Sequence, residues 1–257
     1  MIKTFKLVRK IAGLRMSVYL TLVDDILVDS GPYSLHSQVR KIIKEHPIKS
    51  VIHTHHHEDH TGNSPWIEKH LKIPQWIHAN GVSKCSEDTK LPFYRSVFWN
   101  NRKAFNPLIL ENEEFRTSRH SFKIVHTPGH ADDHIILIDE ENGICVSGDL
   151  YLYHSPTSHF SFESVPELIH SLDKALTYSF KEIYCSHGGY LPNGRRLMER
   201  KRDFLLNLQE NVLNHYREGR TPDEIRKLIL PKNKPFQYLS FFENSPIHTV
   251  NSIIKKE

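Results

Sequence analysis

Apolar positions along this chain recur first at strand spacing and then at helix spacing, and the change between the two organises it. Val18 to Asp29 reads as two short β-runs around the Asp24-Asp25 turn, a hairpin that opens a sheet. From Ser34 to Glu45 the apolar Leu35, Val39, Ile42 and Ile43 fall at helical spacing, and Pro47 ends the helix. Four later apolar runs are of strand length: Ser50 to Ile52, Phe122 to Val125, Gly143 to Val146 and Glu182 to Cys185. Each leads into a polar loop that carries His or Asp. Ser164 to Phe180 is a predicted helix, because Ser164 and Glu167 make a capping box around Pro166 and Leu168, Leu172, Ala175 and Leu176 form one stripe.

Between Trp66 and Phe115 an aromatic-rich stretch, broken by Pro74 and Pro92, predicts helices and a lid-like loop around Trp99. From Arg196 onward the pattern is helical only: Phe204, Leu205, Leu208, Val212 and Tyr216 make one stripe, Gly219 stops it, and Thr221 with Glu224 starts the next helix. The expected organisation is a core domain over residues 1–195 and a small helical C-terminal extension over residues 196–257.

Composition narrows the class. A chain of 257 residues with 38% hydrophobic and 25% charged content can bury one large α/β core, which excludes disordered and fibrous classes. The net charge of +4 gathers around Arg195, Arg196, Arg200, Lys201 and Arg202 and again from Lys227 to Lys234. Such runs read first as solvated helix faces, with an anionic or nucleic-acid partner as the second reading. Cys85, Cys145 and Cys185 lack paired spacing and are expected as free buried thiols. The segment MIKTFKLVRKIAGLRMS has no secretory apolar core and no stretch is long enough to span a bilayer, so a cytoplasmic location without membrane contact is expected.

Histidine is the outlier, with 19 residues, and its placement carries the chemistry. The segment HTHHHEDHTGN, starting at His53, sets His55, His57, Asp59 and His60 in the order H-x-H-x-D-H. Imidazoles and a carboxylate crowded on one short loop are costly to bury alone, whereas zinc accepts these nitrogen and oxygen donors. Further donors follow other apolar runs: His130 after FKIVHTPG, Asp149 after GICVSG and His187 after EIYCS, with Gly129, Gly148 and Gly188 beside them. This set suffices for two four- or five-coordinate ions that share a hydroxide, with Asp149 able to bridge. His53 and His56 alternate with the ligands and are expected to pack behind them. His134 is expected near the site as a proton donor, or as an orienting group acting through Asp133. Tyr151, Tyr153 and His154 are expected in the core.

The set H-x-H-x-D-H, PGH, GD and SHG resembles the metallo-β-lactamase superfamily, over about Val18 to His187. That resemblance implies a four-layer αββα sandwich of two mixed sheets with the metals at one edge. It assigns His55, His57 and His130 to a first ion, Asp59, His60 and His187 to a second, and Asp149 to both. The segment PGHADDHIILIDEENGICVSGDLYL and the helix-rich tail are similar to the branch containing β-lactamase-like endoribonucleases. His57 stands where flavodiiron proteins carry a carboxylate, which argues against that redox branch, and no flavodoxin domain is expected after residue 196. The expected activity is a two-zinc hydrolase, with iron or manganese as alternative metals, that uses a bridging hydroxide oriented by Asp59 and Asp149 to cleave an ester, thioester or lactone of a small molecule. A metal-dependent ribonuclease or phosphodiesterase is the second reading, and a mononuclear iron sulfur dioxygenase the third.

Overall fold

The computed structural model describes residues 2–11 and 13–255. Its first half runs β1 (Ile2–Ile11), β2 (Leu14–Val23), β3 (Ile26–Val28), α1 (His36–Glu45), β4 (Ser50–Ile52), α2 (Glu58–Thr61), α3 (Ser64–His70), β5 (Gln75–Ile77), α4 (Ala79–Cys85), α5 (Phe93–Trp99) and β6 (Leu108–Ile109). The six strands form one sheet in sequence order, antiparallel through β3 and parallel from β3 to β6. The long β1–β2 hairpin was not marked by the apolar pattern, since most β1 side chains are only partly buried. Side chains alternate between the faces of a strand, so Leu22 and Leu27 pack outward under Val39 and Ile42 of α1, while Val23, Ile26 and Val28 face the other sheet.

The second half runs β7 (Glu114–Arg116), β8 (Ser121–His126), β9 (Ile135–Asp139), β10 (Ile144–Gly148), β11 (His159–Phe160), α6 (Val165–Leu176), β12 (Glu182–Cys185), β13 (Gly189–Leu191), α7 (Gly194–Arg217), α8 (Pro222–Ile229), α9 (Pro235–Leu239), β14 (Asn244–Ser245) and α10 (Pro246–Ile254). Its main sheet has the order β13-β12-β10-β9-β8-β7. Phe122, Ile135, Leu137, Ile144 and Val146 meet the inner face of the first sheet, whereas Ile136, Ile138 and Cys145 turn to α6, α7 and α10. The result is the expected αββα sandwich of two mixed sheets between helices.

Three local expectations change. The stretch from Trp66 to Phe115 also contains β5 and β6, whose three and two residues are too short to show a period. Helix α6 ends at Leu176 rather than running to Phe180, because the Arg195 guanidinium takes the Leu176 and Tyr178 carbonyls at 2.9 and 2.7 Å. The tail holds the two-residue strand β14, paired with β11, and its buried Leu205, Leu208, Val212, Val250 and Ile253 share one core with α6 and β9. Cys85, Cys145 and Cys185 are free and buried. Among the described residues no helix is long and apolar enough to cross a membrane.

Strands β8, β10 and β12 point the same way, because β9 is antiparallel to both β8 and β10 while β10 is parallel to β12. The loops that leave their C-terminal ends, together with the loop after β4, carry His130, Asp149, His187 and the H-x-H-x-D-H segment.

Candidate metal centre

The chain brings the predicted donors together in overlapping groups. His55, His57 and His130 form one, Asp59, His60 and His187 another, and His55, His60 and Asp149 a third; within each, the ligand atoms lie within 4.8 Å of one another. His57 Nδ1 stands 3.0 Å from His55 Nε2 and 3.1 Å from His130 Nε2. Asp149 Oδ2 lies 3.3 Å from His130 Nε2 and 3.4 Å from His187 Nε2, which places this carboxylate between the two trios. His187 Nε2 is also 3.3 Å from Asp59 Oδ2.

This arrangement fits divalent cations better than it fits itself. Donors held about 2.0–2.1 Å from a tetrahedral zinc stand roughly 3.3 Å apart, close to the spacings here. His60 Nε2 and Asp149 Oδ1, both buried, face each other at 3.5 Å, and neither makes a hydrogen bond. Orphaned buried acceptors and donors are rare in folded proteins, and a bound cation would satisfy both atoms.

Electrostatics divides the two trios. Burial, followed by the neighbouring imidazoles, drives the pKa of His55 and His57 well below the ordinary histidine value. Their nitrogens therefore offer lone pairs. Burial also works against a charged His60 and His187, but the carboxylates of Asp149 and Asp59, joined at His60 by Asp29, outweigh it and raise both well above that value. Asp149 moves the opposite way: burial opposes its ionisation, yet the imidazoles of His187 and His60 hold it well below the usual carboxylate range. The second trio thus carries the charge that a cation would replace.

The ring nitrogens turned away from the centre are held by the protein, which fixes which nitrogen can coordinate. His130 Nδ1 donates to Glu163 Oε1 at 2.7 Å, and Glu163 Oε2 accepts the Phe160 N–H at 2.7 Å. His187 Nδ1 donates to the Ser17 carbonyl at 3.0 Å. His60 Nδ1 donates to Asp29 Oδ2 at 2.7 Å. The Thr54 hydroxyl donates to Asp29 and lies 3.1 Å from His55 Nδ1. Neither Asp29 nor Glu163 was marked by the sequence pattern, although each directly follows an apolar or aromatic run.

Two glycines make the approach feasible. At Gly129, with φ of 125°, a Cβ would sit 2.6 Å from the Leu168 amide nitrogen, so only glycine lets the His130 loop rest on α6. The same contact explains why Ser164 is only half a capping box: its hydroxyl accepts from Glu167, while its own N–H goes to the Gly129 carbonyl. At Gly148, with φ of 48°, a Cβ would lie 2.6 Å from His134 Nε2.

His53, His56 and His134, which neighbour the predicted donors in the chain, are bonded to other protein groups. His53 is buried against Ser64 Oγ and Gln75 Oε1 at 3.0 and 3.3 Å. Asp133 pairs with His56 at 2.7 Å rather than with His134. His134 is fully buried; its Nε2 accepts the Asp149 N–H at 3.0 Å and its Nδ1 meets Thr127 Oγ1 at 2.9 Å. Both ring nitrogens are engaged within the protein, and His134 is not among the residues lining the cavity over the donors. Tyr151 is buried in the core, whereas Tyr153 is exposed.

A cavity of about 290 Å³ opens over the donors, walled by Tyr94, Phe98, Trp99, Phe160, Phe162 and Phe236. Trp99 both lines this cavity and packs on Val18 and Phe98. The cation in the wall, Arg95, makes a two-pronged bridge to buried Glu58 at 2.6 and 2.7 Å and approaches Glu243 at 3.5 Å. Glu58, inside the H-x-H-x-D-H segment, is thereby tied to α5.

Comparison with known proteins follows the same outline. The family model described as "Metallo-beta-lactamase superfamily" matches residues 18–187. A beta-lactamase-like protein 2 homolog from Drosophila melanogaster is 28% identical over 180 residues, covering 65% of this chain and 55% of its own length. An atrochrysone carboxyl ACP thioesterase from Aspergillus fumigatus is 26% identical over 224 residues, covering 82% of this chain and 64% of its own length. The chain therefore spans little more than half to about two thirds of these two relatives. A crystal structure of a metallo-beta-lactamase family protein from Thermus thermophilus superposes with a TM-score of 0.70 at 18% identity, covering 99% of this chain and 92% of that one.

Proposed function

This chain belongs to the metallo-β-lactamase superfamily, and on that premise we propose that it is a two-zinc hydrolase of small-molecule thioesters or esters with an apolar acyl group. His55, His57 and His130 would hold one ion, Asp59, His60 and His187 the other, with Asp149 shared. Bound there, the pair of cations supplies a water acidic enough to ionise near neutral pH and positive charge opposite a developing oxyanion.

The chain's own groups do the rest. Asp59 and Asp149, ionised and facing the cleft, accept hydrogen bonds from an attacking water and so orient it. His134 acts as a positioning residue, holding the Asp149 backbone through its N–H. Asp29 and Glu163 keep His60 and His130 in the tautomer that leaves Nε2 free. The aromatic wall excludes bulk water and receives the acyl chain.

One observation carries the choice of substrate: the cavity over the donors is walled by six aromatic rings, and Arg95 is already neutralised by Glu58 and Glu243. A polyanionic strand would require unpaired cations along the cup itself, where Arg95 is the only Lys or Arg among the described lining residues. Ribonuclease action, suggested by the PGHADDH segment and the basic tail, is therefore less well served. A thioesterase among the relatives agrees in chemistry with the preferred reading. The test is a panel on zinc-loaded protein of acetyl, hexanoyl and phenylacetyl thioesters beside bis-4-nitrophenyl phosphate and a short RNA. Turnover rising with acyl size is the expected result, and cleavage confined to the phosphodiester or RNA would overturn the reading.

A further inference from the structure

Beside the aromatic cup lies a second cavity of about 240 Å³, and the two share Asp149, Leu152 and Phe160 in their walls. The second one is different in kind. Into its wall α7 sends Lys201, only 3% exposed, whose ammonium donates to the Leu150 carbonyl at 2.6 Å. An ammonium has three N–H donors, and burying it with one neutral acceptor leaves its charge without a counter-ion. No carboxylate lies within ion-pair distance of it among the described residues: Glu163, which attracts it, is engaged by His130 and the Phe160 N–H.

An independent feature points the same way. His159, also in this wall and 3% exposed, uses Nδ1 on Thr249 Oγ1 at 2.9 Å, while its buried Nε2 makes no hydrogen bond. Lys234, at the start of α9, and the Ser155 and Thr157 hydroxyls complete a lining rich in donors. Of the two carboxylates in the wall, Asp149 belongs to the donor cluster and Glu163 is already bonded.

We propose that this annex is a subsite for an anionic group of the substrate, a carboxylate or phosphoryl oxyanion received by Lys201 and His159 with Lys234 near the entrance. Because both cavities meet at Asp149, one molecule can lay its apolar part in the cup and its acidic end in the annex. The proposal rests on the hydrolase reading for the identity of the molecule, but its test does not.

Calorimetric titration of the zinc-loaded protein compares pentanoate, glutarate and 4-phosphonobutanoate, which share a first carboxylate for the metal centre and differ only at the far end. Glutarate or 4-phosphonobutanoate is expected to bind at least about tenfold more tightly than pentanoate, as one charge-assisted contact warrants. The preferred acid identifies the group. In Lys201→Met that gap should close, and in Lys234→Met, a change at an exposed site, it should narrow. Since each gap is a ratio within one preparation, partial unfolding of a variant does not create or erase it. Equal binding of the three acids by the native chain, or a gap that persists in both variants, would overturn the subsite. If the gap behaves as expected but no 4-nitrophenyl ester of these acids is hydrolysed, the hydrolase reading falls and the subsite stands.

Discussion

Asp29 accepts a 2.7 Å hydrogen bond from His60 Nδ1 while its other oxygen takes the Thr54 N–H at 2.8 Å, so one buried carboxylate orients His60 of the candidate cluster and braces the strand end that leads into His55, His57 and Asp59. Asp29 does this from a left-handed backbone, φ 64°, which Asn also tolerates. Asp29→Asn should therefore keep the fold but turn an amide toward the His60 N–H. A loss of about 10- to 100-fold in zinc affinity is expected from such outer contacts. Competition against a chelator of known affinity measures it, and unchanged affinity would remove Asp29 from this role.

Arg95 and Glu58 tie α5 to the ligand loop. Glu58 is 2% exposed, and burial raises its pKa despite the guanidinium. Arg95→Met strands that carboxylate, for which a loss of about 3 kcal/mol in unfolding free energy is expected. Urea denaturation tests this, and Arg95→Met combined with Glu58→Gln should recover a good part of the loss. A single variant as stable as the native chain would show that the bridge contributes little.

Phe162 stacks on Phe160 at 5.2 Å and meets the His57 ring edge-on at 5.3 Å, joining the cup to the donors. Since the ring is partly exposed, Phe162→Ala should affect binding more than stability. Its kcat/KM for a hexanoyl thioester should fall about tenfold, in keeping with one lost aromatic contact, and that for acetyl much less. Equal losses for both acyl groups would place Phe162 outside the acyl site.

Lys201 has a second consequence, for stability. Burial, only partly offset by Glu163, pulls its pKa from 10.5 to about 8. Between these values the unfolded chain binds more protons than the folded one, so stability attributable to this group rises with pH across that window. Relative to Lys201→Met, the native chain should gain about 3 kcal/mol between pH 8 and 10.5, at 1.36 kcal/mol per pKa unit. Parallel denaturation midpoints over this range would contradict it.

Much of this was readable from the residues alone. Each of His130, Asp149 and His187 follows a short apolar run, and a run followed by a donor marks a strand end wherever the strands are parallel. The groups that hold the donors carry no such mark. Asp29 looks like the close of a hairpin, and Glu163 precedes a helix start like any polar residue. His134 stands beside Asp133 in the chain, yet Asp133 turns to His56 and His134 to the Asp149 amide, because adjacent side chains leave the backbone in different directions. Strands β5 and β6 and the Arg195 cap on α6 depend on contacts far apart in sequence, which no local period encodes.

The most direct test of the account is elemental analysis of the native chain and Asp149→Asn, purified without chelator, with thioester hydrolysis followed on the same samples. The account predicts close to two zinc ions per native chain, hydrolysis abolished by chelator and restored by zinc, and a sharp fall in both metal content and turnover in Asp149→Asn. A native chain that binds no metal, or that holds a single iron and hydrolyses no thioester, would contradict it.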